Sequence, residues 1–303
     1  MVKINKKRLI FTLVISFFIL TACFSREEAK QEGRNAYEQE NYLPIDEYDG
    51  EGFQLRKAKA EYAEIAKEQG KIVEQTVQDY FLEEYHSKVE IKNIVAAVDG
   101  VSVYLSAIEE PYFNSFAILP IDLKNEEIKT ERIRTEEGQV ENGIEGGLYA
   151  MAFPDEFEKL DSFLKNFQAK HPILGTPIEL VEKVKGNGYS NQYYFLALFD
   201  DVFDKLFDSY IDQPKRTTKN LKKFFAKEPF EAENIAIAIE YYMEDADSEI
   251  DPQILETLQK ELEELEGIPQ GQYHLYLNDH LIDKKRGIGK KENTIEKTFI
   301  QKE

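Results

Sequence analysis

The sequence predicts an α+β fold: an antiparallel or mixed sheet, built from hairpins and later interior strands, covered by amphipathic helices. Three observations carry this expectation. The apolar period changes from helical to alternating beyond Tyr85. An Asp99-Gly100 pair divides two apolar runs, as in a hairpin. Strands cluster in the first half, whereas helices and apolar strands mix in the second.

Before the domain, Lys3, Lys6, Lys7 and Arg8 form a basic leader, and residues 9–20 (LIFTLVISFFIL) an uncharged apolar block of about 12 residues, the length of a signal-peptide core. A spanning helix needs about 20 apolar residues. The block ends in Leu20-Thr21-Ala22-Cys23, which looks like the lipobox of bacterial lipoproteins. That resemblance implies a signal peptide over residues 1–22, cleavage between Ala22 and Cys23, and a diacylglyceryl group on the Cys23 thiol. Such a lipid, carrying more than one acyl chain, buries enough methylene groups for stable anchoring.

The chain has 38 basic and 58 acidic residues, a net charge of −20. Removal of residues 1–22 takes away Lys3, Lys6, Lys7 and Arg8 but no acid, so the net charge falls to −24. A surface this acidic repels nucleic-acid phosphates, so no nucleic-acid partner is expected. Cys23 is the only cysteine, so the mature chain has no thiol for a disulfide and the core alone must hold the domain.

Residues 23–49 read as the lipidated cysteine and a polar tether; about 22 flexible residues reach roughly 25 Å. A single domain is expected over residues 50–303, with a split near residue 150 as the alternative. Residues 56–85 carry Tyr62, Ile65, Ala66, Ile72, Val73, Val77, Tyr80 and Phe81 at helical spacing, and Gln69-Gly70 interrupts the stripe. Next, NIVAAVDGVSVYLSA reads as a hairpin with Asp99 and Gly100 at the centre of a type I′ turn, where both residues need positive φ. Residues 112–119 and 127–133 add two strands, giving a four-stranded antiparallel meander.

The stretch EEGQVENGIEGGLYAMAF (136–153) repeats Val140, Ile144, Leu148 and Met151 or Ala152 at helical spacing in spite of Gly143, Gly146 and Gly147, each costing about 1 kcal/mol against alanine, so close backbone packing is expected there. A second helix follows at 155–170. YYFLALF (193–199) and NIAIAIEYY (234–242) are apolar on both faces and suit interior strands. Helices are expected at 202–212, 218–227 and 252–266, a closing strand at 272–278, and a frayed tail after Asn293.

The lipobox, NIVAAVDGVSV, EEGQVENGIEGGLYAM, GNGYSNQYYF and GIPQGQYHLYLNDHLIDKK together resemble a family of uncharacterised lipoproteins of Gram-positive bacteria, domain of unknown function 1672. The resemblance spans nearly the whole mature chain. It implies an extracytoplasmic, membrane-anchored location and brings no activity or catalytic residue with it.

The search for chemistry is correspondingly sparse. His86, His171, His274 and His280 show no spacing for a shared metal, and no cofactor motif is present. They read as surface or edge residues. Asp245, Asp247 and Glu249 imitate the start of a calcium loop, but Ile250 stands where its glycine belongs, which favours a solvated turn. The stretch GNGYSNQYYF offers Asn187, Tyr189, Ser190 and Asn191 as candidate ligand-binding groups beside a strand. The simpler reading, a tight entry to that strand, is favoured, because no helix signature follows the glycines. Lys284, Lys285, Arg286, Lys290 and Lys291 gather five cations that suit an anionic polymer or lipid headgroup, against the commoner reading of a solvated run. The 17 tyrosines and 20 phenylalanines fall mostly on faces that read as core, rather than as a carbohydrate platform.

The leading expectation is a non-catalytic binding or interaction module of the envelope, with an envelope protein or polymer as its partner. The alternative is an envelope hydrolase using two carboxylates that converge only in space. A solute receptor ranks below both, because the hairpin-rich first half lacks parallel-sheet patterning.

Overall fold

The computed structural model describes residues 36–185 and 188–301, and the chain divides into two compact units, Met1–Tyr42 and Leu43–Glu303. In the first unit, helix α1 (Ala36–Asn41) ends with the Asn41 amide donating to the carbonyl of Tyr37 at 2.9 Å. The short strand β1 (Tyr42–Pro44) crosses the boundary.

The second unit begins with an amphipathic helix pair, α2 (Ala60–Glu68) and α3 (Gly70–Tyr85), broken at Gln69 where the sequence placed the interruption. Tyr62, Ile65, Ala66, Val73, Val77 and Phe81 are buried, which is the stripe that drives the pair onto the sheet. His86 caps α3 in the left-handed conformation (φ 53).

Strands β2 (Val89–Ala96), β3 (Gly100–Ala107), β4 (Asn114–Asp122) and β5 (Glu127–Ile128) form the expected antiparallel meander in the order β2-β3-β4-β5. Its first turn is shifted by one residue. Ala96 pairs with Val101 and the Ala97 amide donates to Gly100, so the central residues are Val98 and Asp99, neither of which has positive φ. Gly100 is needed for clearance instead: a Cβ there would lie 2.2 Å from the Leu119 carbonyl oxygen of β4. The fourth strand stops at Ile128, because a 3-10 turn at Thr130–Arg132 takes over, and Arg134 rejoins β4 through a bridge to Ile118.

The second sheet is mixed. Strand β8 (Ile235–Met243) is central, with β9 (Gly271–Asn278) parallel on one side; the other side carries β6 (Ile173–Gly175) and β7 (Tyr194–Leu198), both antiparallel. The β8–β9 crossover contains helix α8 (Pro252–Glu263), as a parallel pair requires. Two expectations change here. Strand β7 lies at an edge of β8, and Phe195 and the neighbouring Phe199 are 47% and 69% exposed, so its two-faced apolarity does not make it interior. The residues beyond Asn293 are not a frayed tail, because a last strand, Ile295–Gln301, pairs antiparallel with β9 and Phe299 stacks on Tyr273 at 5.0 Å.

Helices α4 (Gln139–Ala152), α5 (Pro154–Gln168), α6 (Asp201–Asp212) and α7 (Thr218–Phe225) complete the cover. Tyr149 of α4 sits within 5.1–6.4 Å of the rings of Phe153, Phe157, Phe203, Phe225 and Phe230, so these aromatics are core. A second small core gathers Ile45, Tyr48, Leu180, Val184, Tyr242 and Ile282. Residues 43–49, read as tether, therefore take part in the folded unit: apolar Ile45 and Tyr48 supply its anchors. Next to them His280 is 5% exposed, not a surface residue, with Nδ1 2.9 Å from the Met243 carbonyl and Nε2 3.1 Å from the Asp46 carboxylate.

The glycines of α4 do allow close approach. A Cβ on Gly147 would lie 2.7 Å from the Tyr112 carbonyl and 2.8 Å from Pro111. Gly147→Ala should therefore cost about 1–3 kcal/mol in urea unfolding, overpacking outweighing alanine's gain in helix propensity. Gly70, at the start of α3, faces open space, and Gly70→Ala should instead stabilise by about 0.4–1 kcal/mol.

Candidate functional site

A groove of about 630 Å³ lies along β2, within the range of small-ligand and peptide sites. Its floor is the strand segment Asn93 to Ala96. One wall is a single face of α2, where Ala60, Ala63, Glu64 and Lys67 follow at helical spacing. The facing wall is the loop Asp49-Gly50-Glu51-Gly52-Phe53, whose two glycines adopt φ of 95° and 84° and so let the chain double back.

Lys183 holds the walls in register. It belongs to a π-helical turn, Val181–Lys185, whose approach to β2 lets the Asn93 amide donate to the Lys183 carbonyl at 3.2 Å. The Lys183 ammonium donates to the Asp49 carbonyl, also at 3.2 Å. Below it, Lys92 pairs with Glu90 at 2.9 Å and Glu182 at 3.2 Å. The groove thus combines small apolar side chains with both signs of charge, a composition suited to binding. Its carboxyl groups, on Asp49, Glu51 and Glu64, are all on exposed residues.

A desolvated carboxyl exists elsewhere. Glu145 of α4 is 4% exposed, and burial, with the carboxylates of Asp204 and Glu141, raises its pKa to about 7 against a weak opposing hydrogen bond from Asn142 at 3.5 Å. Asn142 itself reaches the end of β7, donating to the Leu198 carbonyl at 2.7 Å. Glu145 lies inside the protein and is not part of the groove lining.

Of the stretch singled out in the sequence as GNGYSNQYYF, the described residues, from Gly188 on, form a joint between the two sheets. Asn114 of β4 and Gly188 exchange both backbone hydrogen bonds, at 2.9 and 2.8 Å, and the Leu196 amide of β7 donates to Tyr189. Ser106 donates to the Asn114 side-chain oxygen at 2.6 Å, and the Asn114 amide donates to Ser190 at 3.0 Å. Asn191 receives the Tyr193 and Tyr194 amides and donates to Asp161 at 3.1 Å, and Tyr194 donates to the same carboxylate oxygen at 2.9 Å. Burial raises the pKa of Asp161, and these two hydrogen bonds oppose the rise. Tyr189 packs against Phe157 and Tyr194. Tyr189, Ser190 and Asn191 are thus brought together by contacts within the protein. Asn187 lies outside the described residues, as do Ala22 and Cys23.

The five cations near the C-terminus have different neighbours. Lys290 pairs with Glu296 at 2.7 Å and lies 4.9 Å from the centre of the Tyr276 ring, and Lys291 bonds Asp279. Lys284 lays its stem on Gly52, Lys285 accepts the Gln54 amide through its carbonyl, and Arg286 is exposed. Asp245 turns on itself, accepting the Asp247 amide at 2.8 Å, and among the described residues no group of three His, Cys, Asp or Glu is placed to hold a metal ion. Nor, among them, is any helix long and apolar enough to cross a membrane.

Sequence reading missed the groove because its parts, at residues 49–53, 60–67, 93–96 and 183, are spread over more than 130 residues of chain. The one local hint was the Gly50-Glu51-Gly52 turn.

A model of the family described as proteins of unknown function, DUF1672, matches residues 35–303. The crystal structure of a DUF1672 family protein from Staphylococcus aureus superposes with a TM-score of 0.70 at 19% identity, covering 87% of this chain and 99% of that one. A DUF5037 family protein from Ruminococcus gnavus gives a TM-score of 0.26 at 12% identity, over 69% of this chain and 76% of its own. No curated protein is similar enough to count as a relative.

Glu145 sets a pH dependence. Its folded pKa lies above the unfolded value of 4.5, so its contribution to stability is complete below that value and is lost as pH rises through 7. Thermal unfolding should show a loss of about 3 kcal/mol between pH 4.5 and pH 8 from this group, which Glu145→Gln removes.

Proposed function

This chain belongs to the DUF1672 family of proteins of unknown function, and on that premise we propose that it is a lipoprotein held at the extracytoplasmic face of a Gram-positive cell membrane by a diacylglyceryl group on Cys23, its domain serving as a non-catalytic binding module of the envelope. The leader, apolar block and Leu20-Thr21-Ala22-Cys23 box support the anchor. The observation that carries the binding reading is the β2 groove, which has small apolar and oppositely charged walls and carboxyls only on exposed residues. A hydrolase built on a carboxylate pair needs at least one desolvated carboxyl in its cleft. Among the described residues, the buried carboxyls of Glu145 and Asp283 and the partly desolvated one of Asp161 all lie outside the groove lining.

Feeding cells an alkynyl palmitate analogue should label the wild-type protein and not Cys23→Ala; label on the variant would refute the anchor. For the binding reading, a photocrosslinking residue in place of Glu64 should give a discrete adduct in intact cells, while one in place of Glu256 on α8 should give none. No Glu64 adduct, together with measurable turnover of an envelope substrate by the purified protein, would favour the hydrolase.

A further inference from the structure

Strand β2 is the outer strand of the meander, with β3 on one side only. The bond from the Ala97 amide to the Gly100 carbonyl sets the phase of the ladder. Antiparallel pairs alternate between those that exchange hydrogen bonds and those that do not. With Ala97 bonded to Gly100, Val95 faces Ser102 as a bonded pair, whereas Ala96–Val101 and Ile94–Val103 are non-bonded pairs. The N–H and C=O groups of Ile94 and Ala96 therefore point away from β3, into the groove. Among the described residues none of these four groups has a partner.

The other end of this edge is blunted. Glu90 and Lys92 place charge there, and the register shifts between Ile91 and Asn93, both of which discourage edge pairing. At Ile94 and Ala96 neither device is present. Two residues of strand repeat about every 6.7 Å, and an extended peptide presents its own amides and carbonyls at that repeat. Main-chain bonding at a sheet edge with alternate side chains in flanking pockets is a recurrent mode of peptide recognition.

We propose that the β2 edge at Ile94 and Ala96 takes up an extended segment of a partner protein as an added strand, a conclusion that rests on reading the groove as the binding site. The walls state its chemistry. Ile94 packs toward the core side of the sheet, the side covered by α2. A partner residue opposite Ile94 or Ala96 points the same way and meets Ala60 and Ala63, whose small side chains leave space for an apolar one. Intervening residues face Gly50, Gly52 and Phe53. The segment recognised is apolar at alternate positions.

The probe is a phage-displayed library of heptapeptides, selected on the full chain. Selection should enrich peptides with apolar residues at alternate positions. The best of them should slow deuterium exchange at the Ile94 and Ala96 amides at least tenfold. Methylating alternate peptide nitrogens, which leaves the protein untouched, should weaken binding at least tenfold, as should Ala63→Trp, which fills the groove from the helix wall. No enrichment, unchanged exchange at both amides, or indifference to N-methylation overturns the proposal. A concentration-dependent dimer that Ala63→Trp dissolves assigns the edge to a second copy of the chain and overturns it as well. If selection fails while the Glu64 crosslink persists, strand addition is refuted and the binding reading stands; if both fail, both fall.

Discussion

The paired hydrogen bonds between Asn114 and Gly188 join a four-stranded meander to a mixed sheet, and much of the unit is arranged around that joint. Gly188 makes it with φ of 87°, a conformation that favours glycine. The glycine-rich face of α4 closes over it. Ideal Cβ positions on Gly143, Gly146 and Gly147 fall within 2.7–3.3 Å of Gly188, Tyr189 and Tyr112 respectively, so a side chain at any of them would press on the joint or on the strand entry beside it. The cost of three glycines inside one helix is offset by backbone packing that larger residues would prevent. Glu145 and Asn142 share this helix, and Asn142 ties it to the last residue of β7.

The joint also places the candidate groove. The chain leaves β6, makes the π-helical turn at 181–185 and only then reaches Gly188, so the turn must lie against the meander. From there Lys183 reaches both Asn93 and the Asp49 loop, fixing one end of the groove and leaving the edge at Ile94 and Ala96 open. A burial driven by the core thus sets the geometry of a surface feature. This is the ordinary route by which a rigid scaffold positions a binding loop.

Much of the local structure was legible. The break at Gln69, the meander, the glycine helix and the last long helix follow from periodicity and punctuation, which are properties of neighbouring residues. What was misread has a common cause. Gly100 reads as a turn residue, yet the constraint on it comes from Leu119, across the sheet. The segment after Asn293 reads as a tail because Ile295 and Phe299 are sparse among charges, yet β9 offers a free edge and Tyr273 a ring to stack on. Ile45 and Tyr48 are isolated in an acidic stretch, and it is the distant Leu180, Val184, Tyr242 and Ile282 that make them core.

The candidate site divides in the same way. Sequence alone determined the basic and apolar run before Cys23, the acidity of the chain and its helix and strand alternation, because each is written in residues close together in the chain. Tertiary structure decided that residues 188–191 form a joint, that Lys290 and Lys291 pair with Glu296 and Asp279, and that a groove lies between α2, the Asp49 loop and β2. Those outcomes depend on residues brought together from distant parts of the chain. Their proximity is set by packing, which no local pattern records.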